Sequence, residues 1–90
     1  MEDIACPLLK ALLADPRPSV RARAIWVVGR SRWRWAAEDA RQALEDRNKD
    51  AMVRRAAAWA LGELRDPLAL PALLQALQDV DPGVRGAAAE

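Results

Sequence analysis

Four tryptophans and a cluster of arginines are the residues of this chain best suited to chemistry, and that chemistry is binding. Trp26 and Trp59 stand 33 residues apart, while Trp33 and Trp35 alternate with arginine in Arg30-Ser31-Arg32-Trp33-Arg34-Trp35. Tryptophan brings a large apolar area with one polar N–H, which makes it a frequent interface anchor. Arginine interleaved with tryptophan combines charge with stacking, the composition of a nucleic-acid or phosphate-binding face. No residue set looks like a reaction centre. The chain contains no histidine, so Cys-His dyads, Ser-His triads and histidine-bearing metal sites are excluded. It has no glycine-rich phosphate loop either. The expectation is a chain that is not an enzyme, with no catalytic residue, no metal and no cofactor.

Composition sets the scale of the scaffold that must hold these side chains. Ninety residues make one small domain, burying roughly 60–65% of the surface its unfolded form exposes. Hydrophobic residues are 52% of the total, Phe and Tyr are absent, and Leu and Ala outnumber β-branched types. That bias favours helix over sheet. Net charge is +1, so the overall field selects no partner. Its distribution is uneven: six arginines and no acid lie between Pro16 and Ala37, but four acids face Arg85 alone from Asp66 to Glu90. Cys6, the single cysteine, cannot form an internal disulfide and reads as a small core residue. No charged-then-apolar leader opens the chain and no apolar run could span a bilayer, so a cytoplasmic location is the default expectation.

The elements that position these residues repeat. Pro18-Ser19-Val20-Arg21, Ala51-Met52-Val53-Arg54 and Pro82-Gly83-Val84-Arg85 place a Val-Arg pair at intervals of 33 and 31 residues. Trp26 and Gly29 return as Trp59 and Gly62, and Lys10-Ala11-Leu12 corresponds to Gln42-Ala43-Leu44 and Gln75-Ala76-Leu77. A period of this length means a stacked array of units, each with a face it cannot bury alone. Val53, Ala57, Ala60, Leu61 and Leu64 form a helical apolar stripe, mirrored by Val20, Ala24, Val27 and Val28. Asp81-Pro82 and Asp66-Pro67 are N-cap and first-turn signals, Asp50 can cap the helix between them, and Arg17 leaves the first unit with a weaker start. Helices are expected near 4–14, 19–31, 35–46, 51–64, 68–78 and 82–90, with an irregular first turn or kink at Pro71. Units fall near 4–33, 34–65 and 66–90.

The run Val53-Arg54-Arg55-Ala56-Ala57-Ala58-Trp59-Ala60-Leu61-Gly62-Glu63-Leu64-Arg65-Asp66-Pro67, with Pro71-Ala72-Leu73-Leu74-Gln75-Ala76-Leu77-Gln78-Asp79, resembles the HEAT-like repeats of the phycobilisome-lyase type. The resemblance covers nearly the whole chain and is looser in the first unit, where Arg32-Trp33-Arg34-Trp35 replaces the usual Asp-Pro turn. It implies an all-α fold, a short α-α superhelix of about three helical hairpins. It also implies that second helices line a concave inner surface. Trp26 and Trp59, six residues past the repeat valine, then share that face with Arg30, Arg55 and Glu63. These five are the candidate partner-binding residues; the bland alternative is that each ring packs against the neighbouring repeat.

Three functions follow from these features. The first is a protein-protein interaction scaffold or adaptor that grips its partner through the concave face. The second is nucleic-acid binding through Arg21, Arg23, Arg30, Arg32, Trp33, Arg34 and Trp35, an architecture that HEAT-like DNA glycosylases share. Against it, Trp35 could fill the core position of Leu68 in the next unit, with Trp33 covering a loop. The third, implied by the resemblance, is an accessory subunit of a bilin-lyase-like enzyme. The arginine after each valine (Arg21, Arg54, Arg85) is read as structural, reaching back to Asp15, Asp46 or Asp79. The last unit stops early, so Val84 and Ala88 would show a bare stripe; a longer array, a second copy in a homo-oligomer, or a partner would cover it.

Overall fold

The computed structural model describes residues 2–45 and 50–89. Among them run six α-helices: α1 (Glu2–Leu13), α2 (Pro18–Ser31), α3 (Ala37–Glu45), α4 (Ala51–Leu64), α5 (Leu70–Ala76) and α6 (Pro82–Ala89). Two single turns of 3-10 helix, Arg34–Ala36 and Pro67–Ala69, lead into α3 and α5. The described residues contain no strand. Helices α2, α4 and α6 pack side by side as one layer, and α1, α3 and α5 lie on their outer side as hairpin partners. The molecule is an all-α superhelix of three stacked hairpins, 37 × 27 × 16 Å.

Local chemistry explains where helices begin and end. The Asp50 carboxylate accepts from Met52 N–H at 2.8 Å and starts α4. Asp81 accepts from Gly83 and Val84 N–H at 2.8 and 3.1 Å, with Pro82 fixing the first turn of α6. Asp66 accepts from Leu68 N–H at 3.1 Å. What it starts is the 3-10 turn, so the irregular entry expected at Pro71 takes the form of that turn, with Pro71 in the first positions of α5. Arg17 offers α2 no side-chain cap, and Pro18 alone sets its first turn. Asp15 holds this approach instead: its carboxylate accepts from the Arg17 main chain at 2.9 Å and from the Arg17 guanidinium at 3.0 Å. Those hydrogen bonds draw its pKa down to about 2. Both α2 and α4 end on an arginine in the left-handed region, Arg32 at φ 55° and Arg65 at φ 52°.

The core is largely alanine, which lets backbones approach closely. Val53, Ala57, Ala60, Leu61 and Leu64 are all buried, as their stripe requires. Gly29 marks the tightest approach: a Cβ there would lie 2.7 Å from Ala60 Cα and 2.9 Å from a Trp59 ring carbon. Gly62, at the same repeat position, faces open space. Ion pairs tie each unit to the next: Lys10 to Asp39 at 2.6 Å, Arg41 to Asp66, and Arg54 to Asp79.

Several expectations change. Val27 lies off the buried stripe, 38% exposed, because α1 leaves a gap beside it. Leu68 is 68% exposed, so it is no core position for Trp35 to imitate; the buried residues of the two 3-10 turns are Ala36 and Ala69. Val84 is fully buried, since α6 packs that side on α4, and the bare stripe expected there does not exist. Exposed apolar residues of the last hairpin include Leu74, Leu77 and Val80. Arg54 takes the carboxylate of the following turn, Asp79, through two hydrogen bonds of 2.9 and 3.1 Å. Arg21 and Arg85 do reach back, but to the main-chain carbonyls of Asp15 and Asp79, both at 2.7 Å. Asp46 and the Cys6 side chain lie outside the described residues.

Candidate functional site

The inner layer presents a groove of about 790 Å³, walled by α2 and α4 and closed at one side by α6. Its aromatic part is a stacked pair. The Trp26 and Trp59 rings lie 5.5 Å apart between centroids and 13° from parallel. The pairing follows from the repeat, because equivalent positions on neighbouring helices come side by side in a stack. Trp26 is 44% exposed, whereas Trp59 is half-buried against the main core and touches the Gly29 seam. One ring packs, and both line the groove.

Arg55 also lines the groove, with its side chain laid along Gly83. Arg30, one turn beyond Trp26, sets its guanidinium 5.1 Å from the Trp26 ring centroid, a cation–π contact. Glu63 is exposed on α4 but is not part of the lining. Four of the five candidates are thus brought together, and Glu63 is not.

Sequence reasoning missed Ser19 and Met52, which line the groove 33 residues apart, and the α6 wall of Gly83, Gly86 and Ala87. The signal was available: Ser19 and Met52 each precede the groove tryptophan by seven residues, two helical turns on the same face. Arg23, assigned by sequence to the nucleic-acid set, lines this groove too.

The remaining arginine-tryptophan candidates are spread over different surroundings. Trp33 and Trp35 stack on each other at 5.7 Å and pack, half-buried, against a second core cluster that includes Leu9, Val28 and Leu64. Arg32 is the left-handed residue ending α2, and Arg34 opens the 3-10 turn; both are exposed. Arg21 is partly buried by its carbonyl contact, and its Nε finds no acceptor among the described residues. At the equivalent place Arg54 Nε donates to Asp79. That charge-assisted bond holds the Arg54 guanidinium more firmly protonated than usual, against the opposing effect of burial. A second, almost wholly apolar groove runs between α1 and α2 past Leu8, Leu12, Val20, Val27 and Trp33. Among the described residues no cluster of acidic or cysteine side chains could hold a metal ion. No helix of the described residues is long and apolar enough to cross a membrane.

Stacked antiparallel hairpins tied by arginine-aspartate pairs, with a groove along their inner helices, define a helical-repeat superhelix. The chain belongs to the HEAT-repeat family, whose model matches residues 5–90. Among solved structures it is similar to a chain in the complex of CpcE and CpcF of phycocyanin lyase from Nostoc sp. PCC7120. The identity is 36%, the TM-score 0.81, and the match covers 92% of this chain and 34% of that one. The chain therefore spans about a third of that relative's length. No curated protein matches it.

Proposed function

We propose that this chain is a non-enzymatic interaction module that holds a protein partner in the groove of α2, α4 and α6. The observation that carries this reading is the stack of exposed Trp26 on half-buried Trp59 in a largely apolar groove edged by arginine. Aromatic and arginine residues on a concave, preformed surface are the composition of binding hot spots. The solved relative is itself found in a two-protein complex, which supports a protein partner for a chain of this kind.

Because Trp59 also fills the α2–α4 seam, the cleaner test changes Trp26 alone. Proteins retained from cell extract by the wild-type chain should be lost on Trp26→Ala at unchanged helicity. An identical retained set would remove the groove from consideration.

The likeness to a phycocyanin lyase component favours a second reading, in which the module is an accessory chain that shapes or presents a lyase substrate. A shifted visible absorption band on incubation with a bilin supports it, and colourless protein after removal of free pigment counts against it. Self-association is a further form of the interaction reading. The buried Val84 moves its candidate surface to Leu74, Leu77 and Val80 on the last hairpin. Nucleic-acid binding through Arg23, Arg30, Arg32 and Arg34 is the alternative, marked by a steep loss of affinity with salt.

A further inference from the structure

The groove has a charge as well as a shape. Lys10, Arg17, Arg41 and Arg54 each sit on a carboxylate elsewhere in the fold. Arg23 and Arg55 in the groove, and Arg30 above Trp26, have no ion pair among the described residues. No acidic residue among those described lines the groove. Asp81, beside Gly83, has its carboxylate turned to the first N–H groups of α6. Between the guanidiniums the floor is apolar, from Ala22 and Ala56 and from Met52, which is half exposed. A ligand that satisfies both features carries carboxylates along the edge of an apolar stripe.

We propose that the groove takes an acidic amphipathic helix from a protein partner, its apolar side on Met52 and the tryptophan pair and its carboxylates on Arg23, Arg30 and Arg55. This rests on the reading of the groove as the partner face and names the chemistry of what enters it. Two observations favour a helix over other anions. The described residues contain no strand edge to which an extended peptide could be added, and an apolar floor flanked by arginines matches the two faces of an amphipathic helix laid in a groove. Trp26 is already covered by Trp59 and by the Arg30 guanidinium, so it offers apolar contact more readily than a free face for a nucleic-acid base.

The test is selection of random displayed peptides of helical length on three proteins: wild type, Trp26→Ala, and Arg23→Glu with Arg55→Glu. All of these positions are exposed, and circular dichroism checks that each variant keeps its helices. Peptides retained by wild type and lost on Trp26→Ala should carry Asp or Glu at helical spacing beside an apolar stripe. The charge-reversed protein should select Lys and Arg in their place. Replacing one carboxylate of the best peptide by an amide should weaken it roughly tenfold, the size of one charge-assisted contact. Wild-type peptides that depend on Trp26 but show no acidic preference would overturn the acidic helix while leaving the groove as partner face. Selection that yields nothing, or yields the same peptides on Trp26→Ala, would overturn both. Displacement of the selected peptide by single-stranded oligothymidylate at comparable concentration would overturn the proposal in favour of nucleic acid.

Discussion

At the scale of single residues, the most consequential contact is the buried Arg54–Asp79 pair, because it connects α4 to the turn that launches α6. Asp79 also accepts from Asp81 N–H at 2.9 Å, so one carboxylate positions both the arginine and the next capping residue. Burying two charges gains little against water, but neutralising one of them is costly. Asp79→Asn leaves a buried guanidinium facing an amide and should lower unfolding stability by about 3 kcal/mol, measured by urea titration. A change below about 1 kcal/mol would show that the pair is solvated well enough to be dispensable. The pairing rule was half legible. Repeat spacing marked Arg21, Arg54 and Arg85 as structural, yet one side chain can point along or against the chain. Only the packed turns decide which.

At the scale of helices, the seam between α2 and α4 is set by glycine and alanine. Gly29→Ala places a methyl group 2.7 Å from the Ala60 backbone and should cost about 1–3 kcal/mol through forced separation of the helices. Gly62→Ala meets nothing within 4 Å and should stabilise by roughly 0.5–1 kcal/mol through helix propensity. Opposite signs at two positions equivalent in sequence are the expected outcome of paired thermal melts. The left-handed helix ends give a further prediction: Arg65→Gly relieves a conformation costing a non-glycine residue about 1 kcal/mol and should raise the melting temperature. The helices themselves were readable from periodicity, and their observed ends lie within a few residues of expectation. Their faces were less so. Val27 belongs to the repeat pattern but borders a gap, because burial depends on what the neighbouring helix covers.

At the scale of the whole molecule, both ends of the stack carry exposed apolar side chains, Leu8 and Leu12 on α1 and Leu74, Leu77 and Val80 on the last hairpin. Val80 is 84% exposed, in a turn where no inner helix covers it. If these surfaces associate, molar mass by light scattering should rise with concentration and fall to the monomer on Leu74→Glu with Leu77→Glu. A constant monomer mass across the range would leave the groove as the surface to pursue. The uneven charge along the sequence takes a defined form in the fold: Arg23, Arg30 and Arg55, without an ion pair among the described residues, stand on the inner layer, while Asp66, Asp79 and Asp81 are used as caps and ion-pair partners.

The sequence by itself determined the all-α class, the helix limits, the caps at Asp50 and Asp81 and the stacking of equivalent units. These are local properties: hydrophobic period, side-chain hydrogen bonds to nearby N–H groups and the recurrence of both. It also placed Trp26 and Trp59 at one repeat position. Tertiary structure alone decided that their rings stack, that Trp59 is half sunk in the seam, and that Glu63 stands outside the groove they line. It also decided that Gly29 is indispensable space while Gly62 is open surface. The physical reason is the same in each case. A repeat makes positions equivalent along the chain, but contact, burial and charge pairing depend on the neighbour that packs beside each one.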